Sequence, residues 1–143
     1  MEIHVRFYKG SDYLMLLNLL KKVYGSSIDQ ETLEKVYISD KRSILVASTE
    51  AGLLVGCTFI EVQEDYIRPS RVLYVTYVAV DENFRKNGIG RKILNRVEEE
   101  CRAKACSAIE LTSADYRIEA HAFYEKLGFT KKKTTVFIKE MSW

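Results

Sequence analysis

The sequence predicts an α/β (α+β) domain built around a mixed central sheet, and three observations carry that prediction. The first is the apolar run Val72-Leu73-Tyr74-Val75-Thr76-Tyr77-Val78-Ala79-Val80. It is dense in β-branched and aromatic residues and reads as a central strand buried on both faces. The second is its sequel, a polar stretch with basic residues and glycines that leads into Ile89, Ile93, Val97 and Cys101, apolar or cysteine at every fourth position. The third is the alternation of strand-like and helix-spaced segments along the chain, in the order β-α-α-β-β-β-α-β-α-β. A length of 143 residues suits one domain, 1–143.

Element by element, Ile3 to Tyr8 reads as a first strand. Ser11 is placed to cap a helix reaching Tyr24, with Tyr13, Leu14, Leu17 and Leu20 at helical spacing. Gly25-Ser26-Ser27 breaks it, and Asp29 caps a shorter helix through Leu33 and Tyr37. Strands at Ser43–Thr49 and Leu53–Val62 flank the turn Glu50-Ala51-Gly52 and form a hairpin. The loop Gln63 to Ser70, with the chain's one proline at Pro69, precedes the apolar run. A helix from Gly88 to about Lys104, a short strand at Ser107–Thr112 and a helix from Ile118 to Leu127 closed by Gly128 come next. The last strand is expected over Thr134 to Met141.

Composition narrows the function classes. Net charge is +2, with 22 basic and 20 acidic residues, so neither nucleic acid nor an anionic membrane is expected as the main partner. No apolar run approaches the roughly 18 residues of a membrane helix, and Met1-Glu2-Ile3-His4-Val5 lacks the layout of a signal peptide, so a cytoplasmic location is expected. Cys57, Cys101 and Cys106 form no C-x-x-C pair, and with His4 and His121 they are too few for a zinc site. Cys57 and Cys101 are expected in apolar packing.

The most informative segment is the strand–turn–helix from Val78 to Leu94. The first turn of a helix carries unpaired N–H groups and partial positive charge, which suits phosphate. Gly88 and Gly90 let backbone approach a bulky diphosphate, and Arg85, Lys86 and Arg91 add full charges around it. The bland alternative is a capped surface helix with solvated basic residues. The P-loop string is absent, and the dinucleotide fingerprint would need glycine where Ile93 stands.

Val78-Ala79-Val80-Asp81-Glu82-Asn83-Phe84-Arg85-Lys86-Asn87-Gly88-Ile89-Gly90 resembles the acetyl-CoA-binding signature of the GNAT superfamily, R/Q-x-x-G-x-G/A after a V-x-V strand. Downstream, Ala120-His121-Ala122-Phe123-Tyr124-Glu125-Lys126-Leu127-Gly128-Phe129 resembles that family's A-x-x-F-Y-x-x-x-G-F. The resemblance is strong from Arg71 to Phe129 and rests on element order alone before that. It implies an N-acetyltransferase that uses acetyl-CoA, with two parallel strands splaying apart to admit the pantetheine arm. Backbone of Val78, Ala79 and Val80 would pair with that arm, and the turn Arg85, Lys86, Asn87, Gly88, Ile89, Gly90 and Arg91 would wrap the pyrophosphate. Ser113, Arg117 and Tyr124 would complete the cofactor site.

The same resemblance makes Tyr124 the acid that protonates the departing thiolate, in keeping with reference pKa values of about 10 for Tyr and 8.5 for a thiol. Two departures stand out. Tyr74-Val75-Thr76-Tyr77 lacks the carboxylate that many relatives use as general base, leaving Glu61 on the neighbouring strand to act through water. Arg117 stands where relatives often have Asn. With Ala120, His121, Phe123 and Tyr124 it forms the pattern of a subgroup that acetylates aminoalkylphosphonates and some small amines. His121 reads as a packing or cofactor-side residue rather than a base. Glu61, Glu64, Asp65 and Tyr66 are candidates for an anionic mouth that attracts a cationic amine, and Lys131-Lys132-Lys133 for a solvated turn. The acceptor expected is a small-molecule primary amine. The alternatives are a protein N-terminus or lysine, or a non-catalytic acyl-CoA-binding regulatory role. A homodimer contact is assigned to Trp143.

Overall fold

The computed structural model describes residues 1–142, and the chain divides into two compact units, Met1–Thr112 and the segment beginning at Ser113. The dimer contact assigned to Trp143 lies outside the described residues. The first unit holds one sheet with strand order β1-β2-β3-β4-β5: Ile3–Phe7, Arg42–Thr49, Leu54–Asp65, Ser70–Val80 and Ala108–Leu111. Every neighbouring pair is antiparallel except β4 and β5, which run parallel, so the sheet is mixed as expected. The hairpin between β2 and β3 turns at Gly52, whose φ of +86° suits a residue without Cβ.

Helices cover both faces. Helix α1 (Tyr13–Tyr24) buries Leu16, Leu19 and Leu20 against Ile44, Val46, Cys57, Phe59 and Ala79. Helix α2 (Ile89–Ala103) buries Ile89 and Ile93 against Ile3, Ala47 and Val55. Val46 and Ala47, adjacent in β2, belong to different clusters because side chains alternate between faces along a strand. Gly56 sets how closely α2 approaches. A Cβ there would stand 2.9 Å from the Ile93 side chain and 3.1 Å from the Ala79 carbonyl.

Several expectations are corrected. The chain enters α1 through a 3-10 turn at Gly10–Asp12, and exposed Ser11 is not the cap. Buried Asp12 instead accepts the Lys9 N–H at 3.0 Å and pairs with Arg6 at 2.7 Å. Leu14 faces solvent, because a helix this rich in leucine offers more than one apolar stripe and the sheet takes Leu16–Leu19–Leu20. The shorter helix becomes a π-helical turn, Thr32–Tyr37, although Asp29 does accept the Thr32 N–H at 3.0 Å. Only Leu73, Val75 and Ala79 of β4 are buried, so the strand is less deeply buried than its apolar run suggests, although Ala79 packs in the α1 cluster and Val80 against the α2 cluster. Cys57 is buried, whereas Cys101 is only half-buried.

The second unit holds helix α3 (Ile118–Lys126), and Gly128 follows it at φ +96° as a helix-ending glycine. No strand forms over Thr134 to Met141, and Val136, Phe137 and Ile138 are 81%, 91% and 82% exposed. A strand exists only where a partner takes its N–H and C=O groups, and among the described residues this unit contains no other strand. No helix among the described residues is long and apolar enough to cross a membrane.

Candidate active site

The site in the first unit begins where β4 loses a neighbour. β5 pairs with β4 only from Val72↔Ala108 to Val75↔Leu111. Among the described residues, Thr76 to Val80 have no strand on that side. On the other side the ladder with β3 slips between Cys57↔Ala79 and Phe59↔Thr76, which is a β-bulge that places Tyr77 at φ +51°. A bulky residue in the left-handed region is strained by about 1–2 kcal/mol. Backbone groups around the bulge are taken by side chains. Thr58 Oγ1 donates to the Thr76 carbonyl at 2.9 Å and the Tyr24 hydroxyl to the Val78 carbonyl at 2.8 Å. Asp81 N–H donates to the Val55 carbonyl at 2.8 Å. Hydrogen-bonded and non-hydrogen-bonded pairs alternate in antiparallel ladders, so Val80, opposite Gly56, turns its amide and carbonyl to the open edge.

Beyond β4 the chain tightens. Asp81 Oδ1 accepts the Asn83 N–H at 2.9 Å over a 3-10 turn, Glu82–Phe84. The Asn87 amide donates to the carbonyls of Phe84 at 2.9 Å and Arg85 at 3.3 Å, which draws the turn into a ring. Lys86 and Gly88 stand at φ +68° and +72°. Gly88 is the residue before α2, and Lys92 N–H donates to its carbonyl at 3.1 Å. The amides of Gly88, Ile89, Gly90 and Arg91 therefore precede the helical ladder and face outward. Among the described residues, nothing beyond Gly88's own chain neighbours lies within 4 Å of the position its Cβ would take. Arg85, Lys86 and Arg91 are exposed and enter no ion pair among the described residues. Buried Ile89 and Ile93, packed over Gly56, hold this end of α2 in place. The structure thus brings Val78, Ala79, Val80 and the turn Arg85 to Arg91 together.

Glu61 stands opposite Tyr74 on β3, short of the bulge. Its nearest cation is Arg42 at 4.0 Å, and it accepts from Gln63 at 3.3 Å. Of the rest of the expected anionic mouth, Tyr66 is exposed and lines a surface cavity with Glu64 and Asp65, but both carboxylates are already engaged by the chain. Glu64 is held by Lys41 at 2.8 Å and Arg71 at 3.1 Å, and the Lys41 hydrogen bond keeps its carboxyl below the usual range. Asp65 accepts the N–H groups of Ile67 and Arg68 at the hairpin tip.

In the second unit, Ser113 opens the segment and Arg117 precedes α3, with its guanidinium 5.9 Å from the Tyr116 ring centre. Tyr124 lies between Phe123 at 5.5 Å and Phe129 at 5.8 Å. Burial pushes its phenol pKa upward, and the Arg117 charge offsets part of that rise. His121 Nε2 lies 2.9 Å from the Ala114 carbonyl, which can only accept, so this nitrogen carries the proton and the ring closes the Ala114–Arg117 turn. Sequence reasoning missed Tyr24 and Tyr77. An apolar run carries no mark of the register slip that makes Tyr77 special.

Residues 13–129 match the family model described as the acetyltransferase (GNAT) family. The chain is 33% identical over 97 residues to mycothiol acetyltransferase of Propionibacterium freudenreichii, covering 68% of this chain and 30% of that protein. It is 32% identical over 79 residues to glucosamine 6-phosphate N-acetyltransferase of Trypanosoma brucei brucei, covering 54% of this chain and 52% of that one. The chain thus spans from just under a third to about half the length of these relatives. Among solved structures, glucosamine-6-phosphate N-acetyltransferase from Arabidopsis thaliana aligns at TM-score 0.80 and 21% identity, over 97% of this chain and 99% of that one. AAC(6')-Iy, in complex with the bisubstrate analogue CoA-S-monomethyl-acetylneamine, aligns at 0.85 and 17%, over 99% and 100%. At such identities the structural likeness is one of fold.

Proposed function

The chain belongs to the acetyltransferase (GNAT) family, and on that premise we propose that it moves the acetyl group of acetyl-coenzyme A onto the primary amine of a small molecule. One observation carries the reading: an open strand edge runs straight into a turn whose amides and cations have no partner among the described residues. Those features fit the cofactor part by part. An extended amide-bearing arm pairs with an open edge as a further strand would, and a diphosphate suits outward amides flanked by Arg85, Lys86 and Arg91. Bound there, the thioester supplies an activated acyl carbon.

The chain's own residues do the rest. Backbone N–H groups at the end of β4 stabilise negative charge that develops on the acyl oxygen. Asn87 keeps the turn in its binding shape, and Ser113 and Arg117 complete the cofactor contacts. Tyr124 delivers the proton that the leaving thiolate needs, and its raised pKa keeps the phenol protonated at neutral pH. Tyr74 to Val80 hold no carboxylate, so the amine reaches its neutral form by exchange with water, with Glu61 within reach only through a water chain. Relatives named for glucosamine 6-phosphate and mycothiol support a small-molecule acceptor. The Arg117-Ala120-His121-Phe123-Tyr124 pattern keeps aminoalkylphosphonates and other small amines inside the proposal.

Calorimetry with coenzyme A, followed by a thiol-release assay over a panel of amines, tests it. Saturable 1:1 binding and amine-dependent thiol release are expected. Absence of binding would overturn the cofactor site, and binding with no turnover on any amine would overturn the transferase.

A further inference from the structure

Four aromatic rings run in one chain across the α1 face of the sheet, beside the open end of β4. Tyr24 meets Tyr77 at 5.2 Å, Tyr77 meets Phe59 at 5.3 Å, and Phe59 meets Tyr37 at 5.1 Å. The Tyr24 hydroxyl anchors one end of the row on the Val78 carbonyl. At the other end stands Glu61, which shares a strand face with Cys57 and Phe59 because residues two apart point the same way. Glu61 and Tyr77 both act on the Tyr37 phenol, whose pKa rises to about 12 through burial first and the Glu61 charge second.

Two features mark this row as more than core. Tyr77 is 48% exposed and occupies the strained bulge, and strain of that kind persists where surrounding structure holds it, often at binding sites. Glu61 also keeps acceptor capacity. At 4.0 Å its Arg42 contact is far longer than the roughly 2.8 Å of a charge-assisted hydrogen bond. Arg42 is already engaged, donating to the Val36 carbonyl at 3.1 Å and lying 5.3 Å from the Tyr37 ring centre. Phe59 itself is buried in the α1 core, so the ring faces open to a ligand are those of exposed Tyr77 and half-buried Tyr37, and with the under-used carboxylate beyond them they form a track for an ammonium group. The rings are spaced by steps of 5.3 and 5.1 Å from Tyr77 to Tyr37, which sets the scale of a short aliphatic spacer.

We infer that the acceptor is a diamine: one amino group reacts beside Val78 while a second, charged ammonium is held at Glu61, with the spacer lying along Tyr77 and Tyr37. This rests on the acetyltransfer reading above and narrows it to one substrate class. In the step itself, the neutral nitrogen forms the new C–N bond, the C–S bond breaks, the thiolate takes a proton from Tyr124, the nitrogen's surplus proton passes to water, and the Tyr124 phenolate regains a proton from water.

The test compares 1,4-, 1,5- and 1,6-diaminoalkanes with alkylamines of matched length and with an aminoalkylphosphonate, as kcat/KM in the thiol-release assay. The intact chain should prefer one diamine over its matched monoamine by at least about tenfold, chiefly through KM, as loss of a charged hydrogen bond would produce. Glu61→Gln should bring that ratio close to one, Glu61→Asp should retain part of it, and Tyr77→Phe should retain more of it than Tyr77→Leu. Equal use of monoamine and diamine, or preference for the phosphonate, would overturn the inference and leave acetyltransfer standing. Coenzyme A binding without turnover on any of these amines would remove both.

Discussion

Charged residues flank both ends of β4, carboxylates at one and cations at the other, and the two ends put them to different use. At the hairpin end, Glu64 is gripped by Lys41 and Arg71, and Asp65 accepts two backbone N–H groups. At the other end, Arg85, Lys86 and Arg91 have no ion-pair partner among the described residues, and the first amides of α2 point away from the protein. Charge density is no guide to which end binds a ligand, since both ends are charged. What distinguishes them is whether the polar groups are already satisfied by the chain. Unsatisfied polarity held in a rigid shape is the mark of a site, because the fold gains nothing from it without a ligand.

The largest effect is expected from placing a negative charge at the unsatisfied end. Gly88→Glu adds a side chain at a φ of +72°, in space the protein leaves open, and sets a carboxylate against the diphosphate. Coenzyme A affinity should fall by at least about a thousandfold in calorimetry, as for an unpaired charge conflict of several kcal/mol. Retained affinity would mean that the turn is merely a solvated helix start. Tyr124→Phe comes next. It should lower kcat by about a hundredfold, the scale of a lost general acid, with little change in coenzyme A affinity. The phenol donates only while protonated, and its pKa is raised by burial, so intact kcat should hold through neutral pH and decline only above the ordinary tyrosine value of about 10. The variant should lack that decline. A pH profile identical in both proteins would remove Tyr124 from proton transfer.

Gly56→Ala probes how the open end is held. The new methyl group would meet Ile93 at 2.9 Å and Ile89 at 3.2 Å, forcing α2 outward or the bulk of these side chains aside. Overpacking of this kind costs about 1–3 kcal/mol, visible in thermal melts. Because the same residues seat the start of α2, coenzyme A binding should weaken alongside stability. A melt shifted with binding untouched would show that the turn keeps its shape without that contact.

Much of this was readable from residues, for physical reasons that differ by element. β2, β3 and α2 announce themselves because a regular period of apolar residues has few other ways to be buried. The turn from Arg85 to Gly90 was legible as a strand-to-helix turn because a glycine, Gly88, supplies the left-handed φ of +72° that precedes α2. Thr134 to Met141 was misread because strand propensity expresses only a readiness to pair, and among the described residues its own unit holds no strand. Tyr77 and Tyr24 were invisible because a bulge is a relation between two strands, and neither strand's sequence states the register. The charge of Glu64 was legible but its fate was not, since Lys41 and Arg71 are brought to it by pairing at a distance in the chain.

That fate supplies the smallest and most discriminating prediction. Glu64→Gln removes a carboxylate that two cations already satisfy, at an end of β4 remote from Gly88. Surface pairs of this sort contribute little, so the melting temperature should drop by no more than a few degrees and coenzyme A affinity should not move. The sign of its pH dependence follows from the carboxyl being held below the ordinary range, first by the Lys41 hydrogen bond. The native chain's advantage over the variant should be full above the ordinary glutamate pKa of about 4.3 and vanish as the pH falls through the lower folded value. Melts from pH 3 to 7 would show this directly. If the substitution instead altered coenzyme A binding at neutral pH, charge at the hairpin end would belong to the field the cofactor feels, and satisfaction of polar groups would no longer separate scaffold from site.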